Sequence, residues 1–115
     1  MAEWTAIDGT NETNEYIDMS TKRKIGNKVN IWALVDFKTP QNDDSAGTYL
    51  SRAFKIQCDC VNENYKFLSI TNYAENMQKG KVVSSSNYNP EKDEPFDVMP
   101  NSLMETKFKL ACGKR

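Results

Sequence analysis

The sequence predicts an α+β fold, a small antiparallel β-sheet of about six strands packed against a C-terminal helix. Two observations carry that prediction. Residues 29–37 and 49–60 alternate side-chain character with a period of two, as strands do. After Pro100 the apolar spacing becomes that of a helix behind a capping signal. The length of 115 residues suits one hydrophobic core, so residues 1–115 read as one domain.

In chain order, residues 3–7 and 15–19 read as short strands divided by the turn-forming pair Asp8-Gly9. Gly26-Asn27 marks the next turn. Val29, Ile31, Ala33, Val35 and Phe37 then point one way, and Asn30, Trp32, Leu34 and Asp36 the other. The second face is also mostly apolar, which suits a central strand. Residues 39–48 carry Pro, Gly, Asn and two Asp and read as an exposed loop. In residues 49–60, Leu50, Phe54, Ile56, Cys58 and Cys60 share an inward face opposite Ser51, Lys55, Gln57 and Asp59. Val61-Asn62-Glu63-Asn64 supplies a hairpin turn into residues 65–73, which are rich in aromatic and β-branched side chains.

Lys79-Gly80 precedes a further short strand at 81–85, and residues 87–95, with two prolines among charges, read as a second exposed loop. Ser102 and Glu105 have capping-box spacing. Met104, Phe108, Ala111 and Cys112 follow on one helix face, and Gly113 is placed to end the helix.

Composition narrows the function classes. The apolar fraction is 38% and the charged fraction 27%, while a mean hydropathy of -0.72 implies a thin core. Fifteen basic and sixteen acidic residues leave a net charge of -1, so no general attraction toward nucleic acid or an anionic membrane is expected. No apolar run is long enough for a transmembrane segment. Met1-Ala2-Glu3-Trp4 lacks the features of a signal peptide, and reads either as a cytosolic start or as a mature domain whose leader has given way to a start Met.

Cys58, Cys60 and Cys112 have neither a zinc-ligand spacing nor a CxxC redox spacing, and the chain has no His. One disulfide with one spare thiol fits them best, which favours an oxidising compartment; three scattered thiols also occur in cytosolic proteins. No metal and no cofactor are expected. Without His, the usual triads lose their base, and no phosphate-binding or Gly-x-Ser-x-Gly motif is present. The acidic pairs at Asp43-Asp44 and Glu91 to Glu94 lie in turn-forming stretches and read as solvated, so no catalytic residue is assigned. Trp32, Phe54, Tyr65, Phe67, Tyr73 and Phe108 are assigned to the core rather than to a pocket, Cys58 to a buried structural role, and Trp4 to pinning the first strand.

Several landmarks recur in a fixed order: Trp4, Tyr16-Ile17-Asp18, the run Val29 to Phe37, Tyr49, Ser51-Arg52, Asp59-Cys60, the aromatic strand through Tyr73, Gly80-Lys81-Val82-Val83, Pro100 with Ser102, and Cys112. In these the chain resembles the surface-adhesin protein E-like family of Gram-negative bacteria. It departs at Cys58, an extra thiol, at Phe96, where a Trp is common, and at Asn101, where a Gly is usual. The resemblance implies a sheet backed by a C-terminal helix, a disulfide joining Cys60 to Cys112 with Cys58 free, and a homodimer. It also implies an exported protein of the periplasm, the outer-membrane surface or the secreted fraction.

The function implied is a surface or secreted module that binds a host matrix or plasma protein; the alternative is a periplasmic or envelope accessory protein that binds another bacterial protein. Lys22, Arg23, Lys24 and Lys28 place four cations within seven residues. Such a run is ordinarily a solvated turn. On a chain otherwise balanced in charge it is also the candidate surface for an acidic or sulfated partner.

Overall fold

The computed structural model describes residues 3–113; the termini of the expected domain, residues 1–2 and 114–115, lie outside the described residues. Seven strands form one sheet: β1 (Thr5–Ile7), β2 (Thr13–Ile25), β3 (Lys28–Asp43), β4 (Gly47–Asp59), β5 (Asn64–Tyr73), β6 (Val82–Asn87) and β7 (Phe96–Asp97). One helix, α1 (Leu103–Cys112), follows. All pairings are antiparallel between sequence neighbours from β1 to β6, and the two-residue β7 pairs with the start of β5. The α+β reading holds.

The sheet's alternation explains the core. Ile17 of β2, Val29, Ile31 and Ala33 of β3, and Phe54, Ile56 and Cys58 of β4 are buried against Phe108 and Ala111 of α1. Their cross-strand partners fix the register, with Ile31 opposite Ile56 and Ala33 opposite both Phe54 and Ile17. Ser102 caps α1, its Oγ accepting from the Glu105 N–H at 3.1 Å.

The reverse face carries Trp32, Leu34, Asp36, Ser51 and Ala53. Leu34 and Ser51 are fully buried there although α1 packs on the opposite face. Their cover is the β5–β6 connection, which folds back over the sheet. Asp36 Oδ1 accepts from the Met77 N–H at 2.8 Å and the Asn76 amide at 3.0 Å. Ser51 Oγ accepts from the Gln78 N–H at 3.0 Å and donates to the Glu75 carbonyl at 2.7 Å. These bonds hold Met77 and Gln78 at φ 55° and 66°, a left-handed pair costly for non-glycine residues.

Four expectations need correction. Most of residues 39–48 is strand rather than loop, because β3 and β4 pair out to Asp43 opposite Gly47. The register slips between Asp36 and Gln41, and Pro40 sits in that slip, where its missing N–H breaks no pairing. Cys60 lies in the four-residue turn after β4 rather than on the strand, where it still packs partly buried against the core, while Cys58 is fully buried in it. Trp32 and Tyr73 belong to the reverse face, half-buried, outside the core under α1. Finally, β2 extends through the cationic run to Ile25, so that run is strand rather than turn.

Candidate functional site

The cations and the disulfide share one end of the sheet. A two-residue loop, Gly26 with φ 62° followed by Asn27, joins β2 to β3 and pairs Ile25 with Lys28. Beyond a slip after Asp18, Lys24 pairs with Val29 and Arg23 with Asn30. Val29 faces the helix and Asn30 faces away, so the four cations divide between the two faces. Lys22 and Lys24 line a small cavity on the helix side together with Cys60 and Cys112. Lys22 Nζ donates to the Leu110 carbonyl at 3.3 Å, where a cation complements the negative end of α1. Arg23 and Lys28 lie on the reverse face, with Arg23 Nη1 donating to the Ser20 and Lys22 carbonyls at 3.3 and 3.0 Å.

The disulfide joins Cys60 to Cys112 with Cα atoms 5.6 Å apart, tying the β4–β5 turn to the last turn of α1. Asp59 shapes that turn by accepting from the Asn62 and Val61 N–H groups at 2.9 and 3.1 Å. These bonds, the Asn62 N–H foremost, outweigh partial burial and hold the Asp59 carboxyl below its usual range, with Lys28 assisting. Cys58 is buried with no exposed surface, and burial pushes its thiol up to about 12. It is therefore neutral and unreactive at physiological pH.

The reverse face opens into a groove of about 310 Å³ whose walls include Trp4, Trp32 and Tyr73. Asp18 forms part of its floor and is 1% exposed. Its oxygens accept from the Glu3 N–H at 3.0 Å, the Ser20 N–H at 3.0 Å and Ser20 Oγ at 2.5 Å. Burial raises the Asp18 carboxyl, but these hydrogen bonds prevail and hold it below its usual value, as the anion. Trp4 thus lines a groove at the end of the chain that Asp18 pins through Glu3. Nothing in the sequence marked Asp18 beyond its place in the Tyr-Ile-Asp landmark.

A second cleft of about 510 Å³ lies beside β5, among Phe67, Ile70, Tyr88 and Phe96, with Asp93 and Glu94 at its rim. It follows from an extra residue in β5: Leu68 slips the register, so Phe67 and Ile70 come to the same face. Phe96 stacks on Tyr65 at 5.5 Å and remains 52% exposed. The acidic stretches divide as turns do. Asp43 accepts from Ser45 Oγ and N–H at 3.0 and 3.2 Å, Asp44 from the Asn42 amide at 3.0 Å, and the Glu91 N–H donates to Asn89. Among the described residues no helix is long and apolar enough to cross a membrane.

No curated protein matches the chain in comparison. Residues 4–113, from Trp4 at the reverse-face groove to the glycine that ends α1, match the family model described as surface-adhesin protein E. The chain belongs to the surface-adhesin protein E family, and so to a class of exported adhesin-type binding proteins.

Proposed function

We propose that this protein is one domain, displayed at the outer-membrane surface or secreted, that binds a host matrix or plasma protein. The observation that carries the reading is the family match across residues 4–113. The rigid sheet supports it, since the disulfide and α1 brace one face and leave the hairpin end and strand edges open.

The contact surface is the β2–β3 hairpin end. Lys22 and Lys24 serve an acidic segment lying on the helix side, and Arg23 and Lys28 one lying on the reverse side. Surface plasmon resonance against laminin, vitronectin and heparin tests this with two double variants, Lys22→Ser with Lys24→Ser and Arg23→Ser with Lys28→Ser. Binding should weaken in one double variant more than the other, and the difference should fade toward about 0.5 M salt. Equal binding by the parent and both variants at low salt rejects this surface.

The outer edge of β6, with Val82 53% exposed, supports a homodimer through strand pairing. Sedimentation showing only monomer at about 100 micromolar counts against it.

A further inference from the structure

The reverse-face groove combines three features that a merely solvated sheet face does not need. Trp4, Trp32 and Tyr73 present aromatic surface at one spot. Asp18 sits in its floor, 1% exposed. Among the described residues, the ion pairs are Lys107 with Glu15 and Lys109 with Glu105, so no described side-chain cation lies within ion-pair distance of Asp18. A covered carboxylate without a counter-ion is costly unless something neutralises it. Here the neutral donors of Ser20 and Glu3 do most of this, and the charge of the chain's N-terminus assists.

The way those donors are used decides what the groove suits. Three hydrogen bonds from Glu3 and Ser20 occupy the Asp18 oxygens. Thr21 Oγ donates to the Asp18 carbonyl at 2.6 Å and accepts from the Trp32 N–H at 3.1 Å. The Tyr73 hydroxyl accepts from the Gln78 amide at 3.3 Å. The directional acceptors that a sugar's hydroxyls would seek are therefore largely committed. The negative charge is not, and it acts through space in a partly desolvated site where screening is weak. Other charges on this face include the acids Asp36 and Asp59 and the cations Arg23, Lys28 and Lys55; Asp36 is held by the Met77 and Asn76 donors, Asp59 by its own turn, Arg23 by backbone carbonyls, and Lys55 lies across from Trp32 with no ring contact to it. An anion would meet Asp18 and those committed acceptors, whereas a cation would meet ring faces and a buried carboxylate that hydrogen bonds and the N-terminal charge offset only in part.

We propose that this groove binds an organic cation, an alkylammonium group seated on the Trp4, Trp32 and Tyr73 rings above the Asp18 carboxylate. The ammonium can come from a free small molecule or from a lysine side chain of a partner protein. The site is separate from the Lys22 to Lys28 surface, so either can fail alone.

The test titrates the unaltered protein with choline, with its neutral isostere 3,3-dimethyl-1-butanol, and with Nα-acetyl-lysine amide, following tryptophan fluorescence at low salt. Choline or the lysine amide should saturate in the millimolar range, at least about tenfold more tightly than the neutral isostere. The tighter of the two cations identifies the source. Asp18→Asn should bring cation affinity down to that of the isostere, and Trp32→Leu should weaken both cations, with near-UV circular dichroism confirming the fold. If Asp18→Asn does not fold, the isostere comparison on the unaltered protein still decides. Equal affinity for choline, the lysine amide and the isostere, or no saturation by any cation at about 100 mM, overturns the proposal.

Discussion

Lys107 Nζ lies 2.6 Å from Glu15 Oε1, and the two side chains are only 5% and 9% exposed. This pair joins α1 to β2 across the core, with Lys107 also 5.0 Å above the Phe54 ring and Thr13 Oγ donating to the other Glu15 oxygen at 3.1 Å. Removing one member strands a buried charge. Glu15→Leu and Lys107→Met should each destabilise by about 3–5 kcal/mol, while the double variant should lose less than either. Urea denaturation of the four proteins measures it; additive losses would show that the charges do not act as a pair.

Reduction of the Cys60–Cys112 bond should destabilise strongly. The cysteines are 52 residues apart, and the chain-entropy account gives about 4 kcal/mol for a loop of that size. The melting temperature should fall by roughly 15–20 °C in reductant. Cys60→Ala with Cys112→Ala should match the reduced protein. A shift of a few degrees would mean that α1 docks by packing alone.

Cys58 makes stability sensitive to alkali. Its thiol is raised from 9.0 to about 12 by burial, so the folded state keeps its proton while the unfolded state loses it. The contribution is complete below pH 9 and declines as pH rises toward 12, by about 1.4 kcal/mol per unit. Cys58→Ala should flatten the urea midpoint between pH 9 and 11, and an unchanged slope would exclude this thiol as the cause. In the native state at pH 7 the thiol should not react with a maleimide.

Acid should act through other residues. Asp18, Asp43 and Asp59 are each held below the usual 3.8 of an aspartate by hydrogen bonds. Their stabilisation is present above that value and is lost as pH falls through their lower folded values, because the unfolded chain takes up protons first. Asp59→Ala should show a shallower fall in the urea midpoint between pH 5 and 2 than the parent.

Gly9 is a steric prediction. A Cβ there would stand 2.4 Å from the Thr13 carbonyl oxygen, which already accepts from the Thr10 N–H. Gly9→Ala should cost about 1–3 kcal/mol by opening the β1–β2 loop, and thermal melting will detect it.

The central strands were legible because the face under α1 takes an apolar residue at every second position, from Val29 to Ala33 and from Phe54 to Cys58. The helix was legible from Ser102, Glu105 and the Met104-Phe108-Ala111 spacing. Pro40 and its polar neighbours read as a loop because local turn chemistry is indifferent to a register slip that places them in a strand. The slip at Leu68 likewise hid the cleft. Lys107 and Asp18 were invisible as buried groups because partners 92 and 15 residues away satisfy them. Lys22, Arg23 and Lys24 are adjacent in sequence with Lys28 just across the turn, but a strand's alternation sends neighbours to opposite faces.

The Asp36 and Ser51 clasp on the β5–β6 connection has a consequence in time. Asp36 and Met77 are 41 residues apart, and the left-handed Met77-Gln78 pair has no local reason to form. The clasp can close only after β3 and β4 have paired and aligned both side chains. The connection should therefore close late in folding, after the rate-limiting barrier. Weakening it with Asp36→Ala should hasten unfolding while leaving the refolding rate nearly unchanged, so the clasp sets how long the native state persists rather than how fast it is reached.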